Sequence, residues 1–193
     1  MPDKGFAILE APSILGLFPK GVETLPDALL AAGLAERLNA AHAGRIEPPA
    51  YDPERDPETL LLNPRGIAGY SIALADSTGG LLNAGKVPVV LGGDCSIMLG
   101  CMLALKRRGR YGLLFLDGHA DFYQPEAEPN GEAASMDLAL ATGRGPALVT
   151  NIEGRGPLVR EEDVVVLGCR DAANAEEHGS QRIEDSPAAI AYG

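Results

Sequence analysis

The chain has 193 residues, 46% of them hydrophobic, and carries 16 Lys and Arg against 27 Asp and Glu, a formal charge of −11. That acid excess disfavours nucleic acid and anionic membrane as partners, since both select a basic face; it is compatible with metal ions or guanidinium-like molecules, but surface acidity alone ordinarily serves solubility. With no membrane-length apolar run, no signal-peptide pattern and three cysteines (Cys95, Cys101, Cys169) outside Cys-x-x-Cys spacing, the expectation is a cytoplasmic protein without a disulfide framework or a zinc knuckle.

Strand-like and helix-like segments alternate along the chain, the pattern of an α/β fold with a mainly parallel sheet. Residues 6–10 open it as a short apolar strand. Residues 22–38 are predicted as one helix, with Pro26 in its first turn and Leu29, Leu30, Leu34 and Leu38 on one face. Residues 45–64 hold Pro48, Pro49, Pro53, Pro57 and Pro64, and read as a long surface loop. A second helix is expected over 66–84, stopped by Gly85. Residues 87–91 form a continuous apolar run that fits a strand covered on both faces. A Gly-rich turn then leads into a helix over 97–108, whose basic end suits the helix dipole. Further strands are predicted at 111–116 and 163–168, with a helix near 136–141 between them. After Arg170 and Asp171 the sequence turns polar and Ala-rich, and no further strand is expected.

The two loops of chemical interest, 92–96 and 117–121, leave the C-terminal ends of apolar strands, where open parallel sheets form their ligand crevices. Asp117, His119 and Asp121 are spaced i, i+2, i+4, so on an extended segment they leave from one face. Two carboxylates and an imidazole converging there suit Mn²⁺, Fe²⁺, Ni²⁺ or Zn²⁺. The bland alternative makes Asp117 a turn cap, Asp121 a solvated charge and His119 a packed loop residue.

Taken together, Gly92-Gly93-Asp94-Cys95-Ser96 resembles the Gly-Gly-Asp-His-Ser motif of the arginase/agmatinase/formiminoglutamase (ureohydrolase) family, and Asp117-Gly118-His119-Ala120-Asp121 resembles its Asp-Ala-His-x-Asp motif. The segment from Gly21-Val22-Glu23 through Pro26 to Leu34 is similar to that family's first helix. Gly131 to Leu138 sits where its substrate loop returns to the metals, and Val164 to Asp171 resembles its strand ending in Gly-x-Arg-Asp. The resemblance implies a three-layer α/β/α sandwich with a mainly parallel sheet, of the arginase/deacetylase kind, formed by residues 1–193 as a single domain incomplete at its C-terminal end. It further implies hydrolysis of a linear guanidine or amidine C–N bond by a metal-bound hydroxide, a small cationic substrate and a homo-oligomer. Two Mn²⁺ ions are normal for the family; Asp117 would bridge them, His119 would bind one and Asp121 the other, with Asp117 and His119 as the catalytic pair. Asp137 and Glu176 are the candidates for contact with a basic substrate, though both also read as surface charges, and Arg170-Asp171 reads as a loop ion pair.

Three departures from the family pattern bear on that expectation. Cys95 stands where the family has a metal-binding histidine, and a thiolate favours Zn²⁺ over Mn²⁺; a small buried filler and a nucleophile near a helix N-terminus are its other readings. Ala134 and Ser135 occupy the place of the arginase proton-shuttle histidine. The later Ser-x-Asp-x-Asp motif, which completes the binuclear site, has no counterpart: the chain contains no Asp-x-Asp, and Asp185 is the only aspartate after Asp171. The expectation is therefore one bound ion or none. A mononuclear deacetylase-like amide hydrolase and a non-catalytic interaction module are the alternative readings.

Overall fold

A computed structural model describes residues 5–192. In chain order the elements are β1 (Phe6–Ala11), a 3₁₀ turn at Val22–Thr24, α1 (Leu25–Ala31), α2 (Leu34–Leu38), β2 (Ala41–Arg45), α3 (Pro64–Asn83), β3 (Val87–Gly92), α4 (Ile97–Lys106), β4 (Leu113–Leu116), α5 (Asp137–Ala141), α6 (Ala147–Thr150), β5 (Val164–Cys169), α7 (Ala172–Glu177) and β6 (Ala189–Tyr192). All strand pairings are parallel, and helices flank the strands, so the fold is α/β as the alternation predicts.

The strands form two three-stranded sheets, β2-β1-β3 and β4-β5-β6, rather than one continuous sheet. Among the described residues β3 and β4 are therefore open edges, each with a row of backbone groups unpaired on one side. A shared core joins the halves: Leu9 and Ala11 of β1, Leu74 of α3, Leu99 and Leu103 of α4, Phe115 of β4 and Val166 of β5 belong to one buried cluster. Residues 7–11 of β1 are buried without interruption, so both faces of this central strand are covered; α1 packs on β3, and α3 on β1 and β3. The second sheet differs. Phe115, Val164 and Val166 are buried, but Leu114, Leu116 and Val165 are 56%, 71% and 39% exposed. Leu114 pairs with Val165 and Leu116 with Leu167, so these side chains share one face, and that face is bare among the described residues.

Local chemistry explains where the expected elements shift. The predicted helix over 22–38 is broken at Gly33, whose φ of 82° ends α1 and restarts the chain as α2. β2, Ala-His-Ala-Gly-Arg, has little strand propensity of its own and takes residues 41–45 out of the region predicted as helix end and loop. It is held through the buried Glu10 of β1, which accepts from Arg45 Nη1 at 2.9 Å and faces His42 Nε2 at 2.6 Å. β6 is likewise a strand where none was predicted. No described helix is long and apolar enough to cross a membrane.

Candidate metal centre

The turn after β3 is shaped by close backbone approach. Gly93 adopts φ 43°, and a Cβ there would lie 2.4 Å from the Ser13 carbonyl oxygen. Asp94 N–H donates to that same carbonyl at 2.8 Å, tying the end of β3 to the loop after β1. Asp94 itself is buried; its Oδ1 accepts from Ser96 N–H at 2.9 Å, while Oδ2 has no hydrogen-bond partner. Cys95 follows on the outer side of this turn, immediately ahead of α4, and is exposed.

The turn after β4 is pinned at both ends. Asp117 N–H donates to the Leu167 carbonyl of β5 at 3.1 Å, and Asp117 Oδ1 accepts from His119 N–H at 2.8 Å, closing a short side-chain turn. Ala120 N–H donates to the Asp171 carboxylate, Oδ1 at 3.2 Å and Oδ2 at 3.3 Å. Asp121 then takes φ 45°, a left-handed conformation that aspartate tolerates better than most side chains. The turn buries its carboxyl, and its carbonyl accepts from Ala139 N–H of α5 at 3.2 Å.

These two turns bring Cys95, Asp117 and Asp121 together: one donor atom from each lies within 4.8 Å of the others. The electrostatics are those of crowded acids. Burial, then the Asp117 charge, pushes the Asp121 carboxyl up to about 7. Asp137, at the start of α5, is fully buried; burial first, then Asp121, holds its carboxyl well above the usual range, and the two carboxyls share a hydrogen bond. Desolvation of its sulfur, then Asp137, Asp121, Asp117 and Asp94, raises the Cys95 thiol far above its ordinary value. Burial is the largest cause of each shift and the neighbouring carboxylates add to it, and a divalent ion held by these donors would offset both. The donor set fits one ion of borderline or soft character, one sulfur and two carboxylates, better than it fits Mn²⁺.

The structure distributes the sequence-predicted residues unevenly. Cys95, Asp117 and Asp121 converge. His119 stays beside Asp117, Nδ1 3.3 Å from Oδ1, but its side chain is 67% exposed and lies outside the three-donor group. Cys95 is exposed where the filler reading expected a buried residue, and desolvation and the neighbouring carboxylates raise its thiol. Asp137 is neither a surface charge nor open to an external substrate: it is 1% exposed. Glu176 is exposed on α7 and lines a small cavity of about 60 Å³ with Ala120, Cys169 and Asp171. The expected Arg170–Asp171 ion pair is not formed among the described residues; Asp171 serves the Ala120 N–H instead. Asp94, to which the motif alone assigns no role, is buried behind Cys95, and its place inside the Gly-Gly-Asp turn is the signal for it.

Fold and cluster together define an α/β protein with a metal-ligand type of donor group at the C-terminal ends of parallel strands. The arginase family model matches residues 4–186, and the chain belongs to the arginase family. It is 32% identical over 182 residues to an arginase of Bacillus caldovelox, covering 90% of this chain and 60% of that protein. It is also 32% identical over 189 residues to an arginase of Brevibacillus brevis, covering 94% of this chain and 62% of the relative. The solved arginase structure from Bacillus caldovelox superposes with a TM-score of 0.83 at 28% identity, over 98% of this chain and 64% of that one. The chain thus spans about three fifths of the length of the relatives it matches.

Proposed function

We propose that this chain carries the metal-binding part of a ureohydrolase-type hydrolase, acting on the C–N bond of a small cationic guanidine or amidine, and that alone it holds a single divalent cation. The observation that supports this reading is the convergence of Cys95, Asp117 and Asp121 within 4.8 Å in a member of the arginase family. Asp117 and Asp121 would supply the carboxylate ligands and Cys95 a sulfur ligand, so that Zn²⁺ replaces the family's Mn²⁺ as the better match. A bound cation supplies Lewis acidity and lowers the pKa of water in its coordination shell. His119, oriented by Asp117 and open to solvent, is the group at the mouth of the site placed to accept or return a proton. Two dications would share too few carboxylates here and repel each other strongly, which supports one ion rather than two. The net charge of −11 favours approach of a cationic substrate.

The test is release of urea or amine from arginine, agmatine and simpler guanidines by the purified chain, with Zn²⁺ or Mn²⁺ supplied. Slow, Zn²⁺-dependent turnover that disappears in Asp121→Asn supports the reading; turnover unchanged by chelation or by Asp121→Asn contradicts it.

A second reading, a non-catalytic interaction module, is favoured by one separate observation. Leu114, Leu116 and Val165 form a bare apolar face beside the open edge of β4. Concentration-dependent self-association together with absence of turnover on every guanidine would select it.

A further inference from the structure

We infer that Asp94 is the positioning residue of Cys95: its buried carboxylate, wedged between the turn after β3 and the loop after β1, holds the sulfur where it reaches a cation. This role rests on the single-cation reading of the Cys95, Asp117 and Asp121 cluster. It also draws Ser13 and Gly16, which supply none of the three donor atoms, into the working site.

Cys95 is exposed, yet the residues on either side of it, Asp94 and Ser96, are only 2% and 3% exposed. Asp94 bonds across it. Its Oδ1 accepts from Ser96 N–H at 2.9 Å, so side chain and backbone close a short turn with Cys95 at its apex. The Asp94 carbonyl accepts from Ile97 N–H at 3.3 Å and the Cys95 carbonyl from Met98 N–H at 2.9 Å, which fixes that turn to the first residues of α4. With its backbone held, a cysteine has one remaining torsion and three staggered positions for its sulfur. The carboxylate turn therefore decides whether the sulfur meets Asp117 and Asp121.

The turn is also anchored from outside. Asp94 N–H donates to the carbonyl of the fully buried Ser13 at 2.8 Å, and Ser13 Oγ accepts from Leu15 N–H at 3.1 Å. The Leu15 carbonyl accepts from Asn63 Nδ2 at 3.0 Å, and the Gly16 carbonyl from Ala134 N–H at 3.0 Å. The loop after β1 is thus a strut between the Cys95 turn and the segment leading into α5. Its contact with Asp94 leaves no slack: a Cβ at Gly16 would lie 2.6 Å from Asp94 Oδ1 and 2.8 Å from Ser96 Cβ. Glycine at 16 is what lets the carboxylate sit between the two loops.

The experiment is a double-mutant cycle on the metal-free chain, read by calorimetric titration with Cd²⁺, a thiophilic probe, and by the ultraviolet charge-transfer band of thiolate-bound Cd²⁺. The chains are wild type, Asp94→Ala, Asp94→Asn, Cys95→Ala and the double variant Asp94→Ala with Cys95→Ala, each checked for folding by circular dichroism. Asp94→Ala should lose about tenfold or more in Cd²⁺ affinity together with the band, the usual cost of removing a group that orients a ligand. Asp94→Asn keeps an acceptor oxygen for Ser96 N–H and should stay within about threefold of wild type. In the Cys95→Ala background, Asp94→Ala should change affinity by less than about twofold, because a residue acting through the sulfur has nothing left to position. An equal loss from Asp94→Ala in both backgrounds would make Asp94 a general support of the fold and overturn the assignment. Wild-type affinity in a folded Asp94→Ala would overturn it as well, leaving the three-donor site intact. No Cd²⁺ binding by wild type would overturn the cation reading and this role with it. If Asp94→Ala does not fold, Gly16→Ala, whose methyl group meets the carboxylate, decides by the same cycle.

Discussion

Arg55 ties the long Pro-rich loop to the segment between Asp121 and Asp137, and its removal has a magnitude the structure defines. The guanidinium leaves the long Pro-rich loop and donates to four backbone carbonyls: Nε to Leu60 at 2.5 Å, Nη2 to Pro125 at 2.7 Å and Glu128 at 2.9 Å, and Nη1 to Pro129 at 3.3 Å. The last three lie in the segment that separates Asp121 from Asp137, so one side chain sets the course of that connection. The Nη1 bond is exposed and contributes little. The other three are part-buried, and at about 1 kcal/mol net each, with some penalty for carbonyls left unsatisfied, Arg55→Ala should destabilise the fold by about 3–4 kcal/mol. For a chain of this size that corresponds to a fall in Tm of about 6–16 °C. Arg55→Lys should recover less than half, because a single ammonium cannot reach carbonyls arranged around a planar fork. Thermal melts followed by circular dichroism measure the loss, and Cd²⁺ titration at a temperature where the variant is folded should show weakened binding as well. A Tm shift below about 2 °C in Arg55→Ala would refute the reasoning, since it would mean that water replaces the clamp at no cost.

Two further outcomes follow from the site and the bare face. Cys95→His should raise affinity for Mn²⁺ relative to Cd²⁺ by an order of magnitude or more, because imidazole replaces a soft sulfur at the same turn; competition dialysis reads the ratio, and an unchanged ratio would remove Cys95 from the ligand set. Leu116→Gln should reduce concentration-dependent association in sedimentation velocity while leaving Tm within about 1 °C, since a side chain 71% exposed stabilises the isolated fold little.

The alternation of apolar strands and helices was enough to read the α/β class, because β1, β3, β4, β5, α3 and α4 each carry an uninterrupted or periodic apolar signal. β2 was illegible for a physical reason: its Ala, His, Gly and Arg side chains signal no strand, and its attachment depends on Glu10, more than thirty residues away in sequence. The division of the sheet was hidden in the same way, since strand order is a property of long-range pairing that no local window contains. At the site, i, i+2, i+4 spacing anticipated Asp117 and Asp121 on one side of the loop but misplaced His119, because spacing assumes an extended backbone and the segment is a turn closed by Asp117 Oδ1 and ended by the left-handed Asp121. Asp137 looked like a surface charge by residue type; the hydrophobic run around it, Met136 and Leu138 to Leu140, was the clue that it faces inward.

The central claim, one metal ion held by donors from two strand-end turns, is tested most directly by equilibrium dialysis of the purified chain against Zn²⁺. Metal per chain is then counted after gel filtration, with Asp121→Asn as the control. The account predicts one retained Zn²⁺ per wild-type chain and a large loss in Asp121→Asn. Two tightly retained ions per chain, or retention that ignores Asp121→Asn, would contradict it.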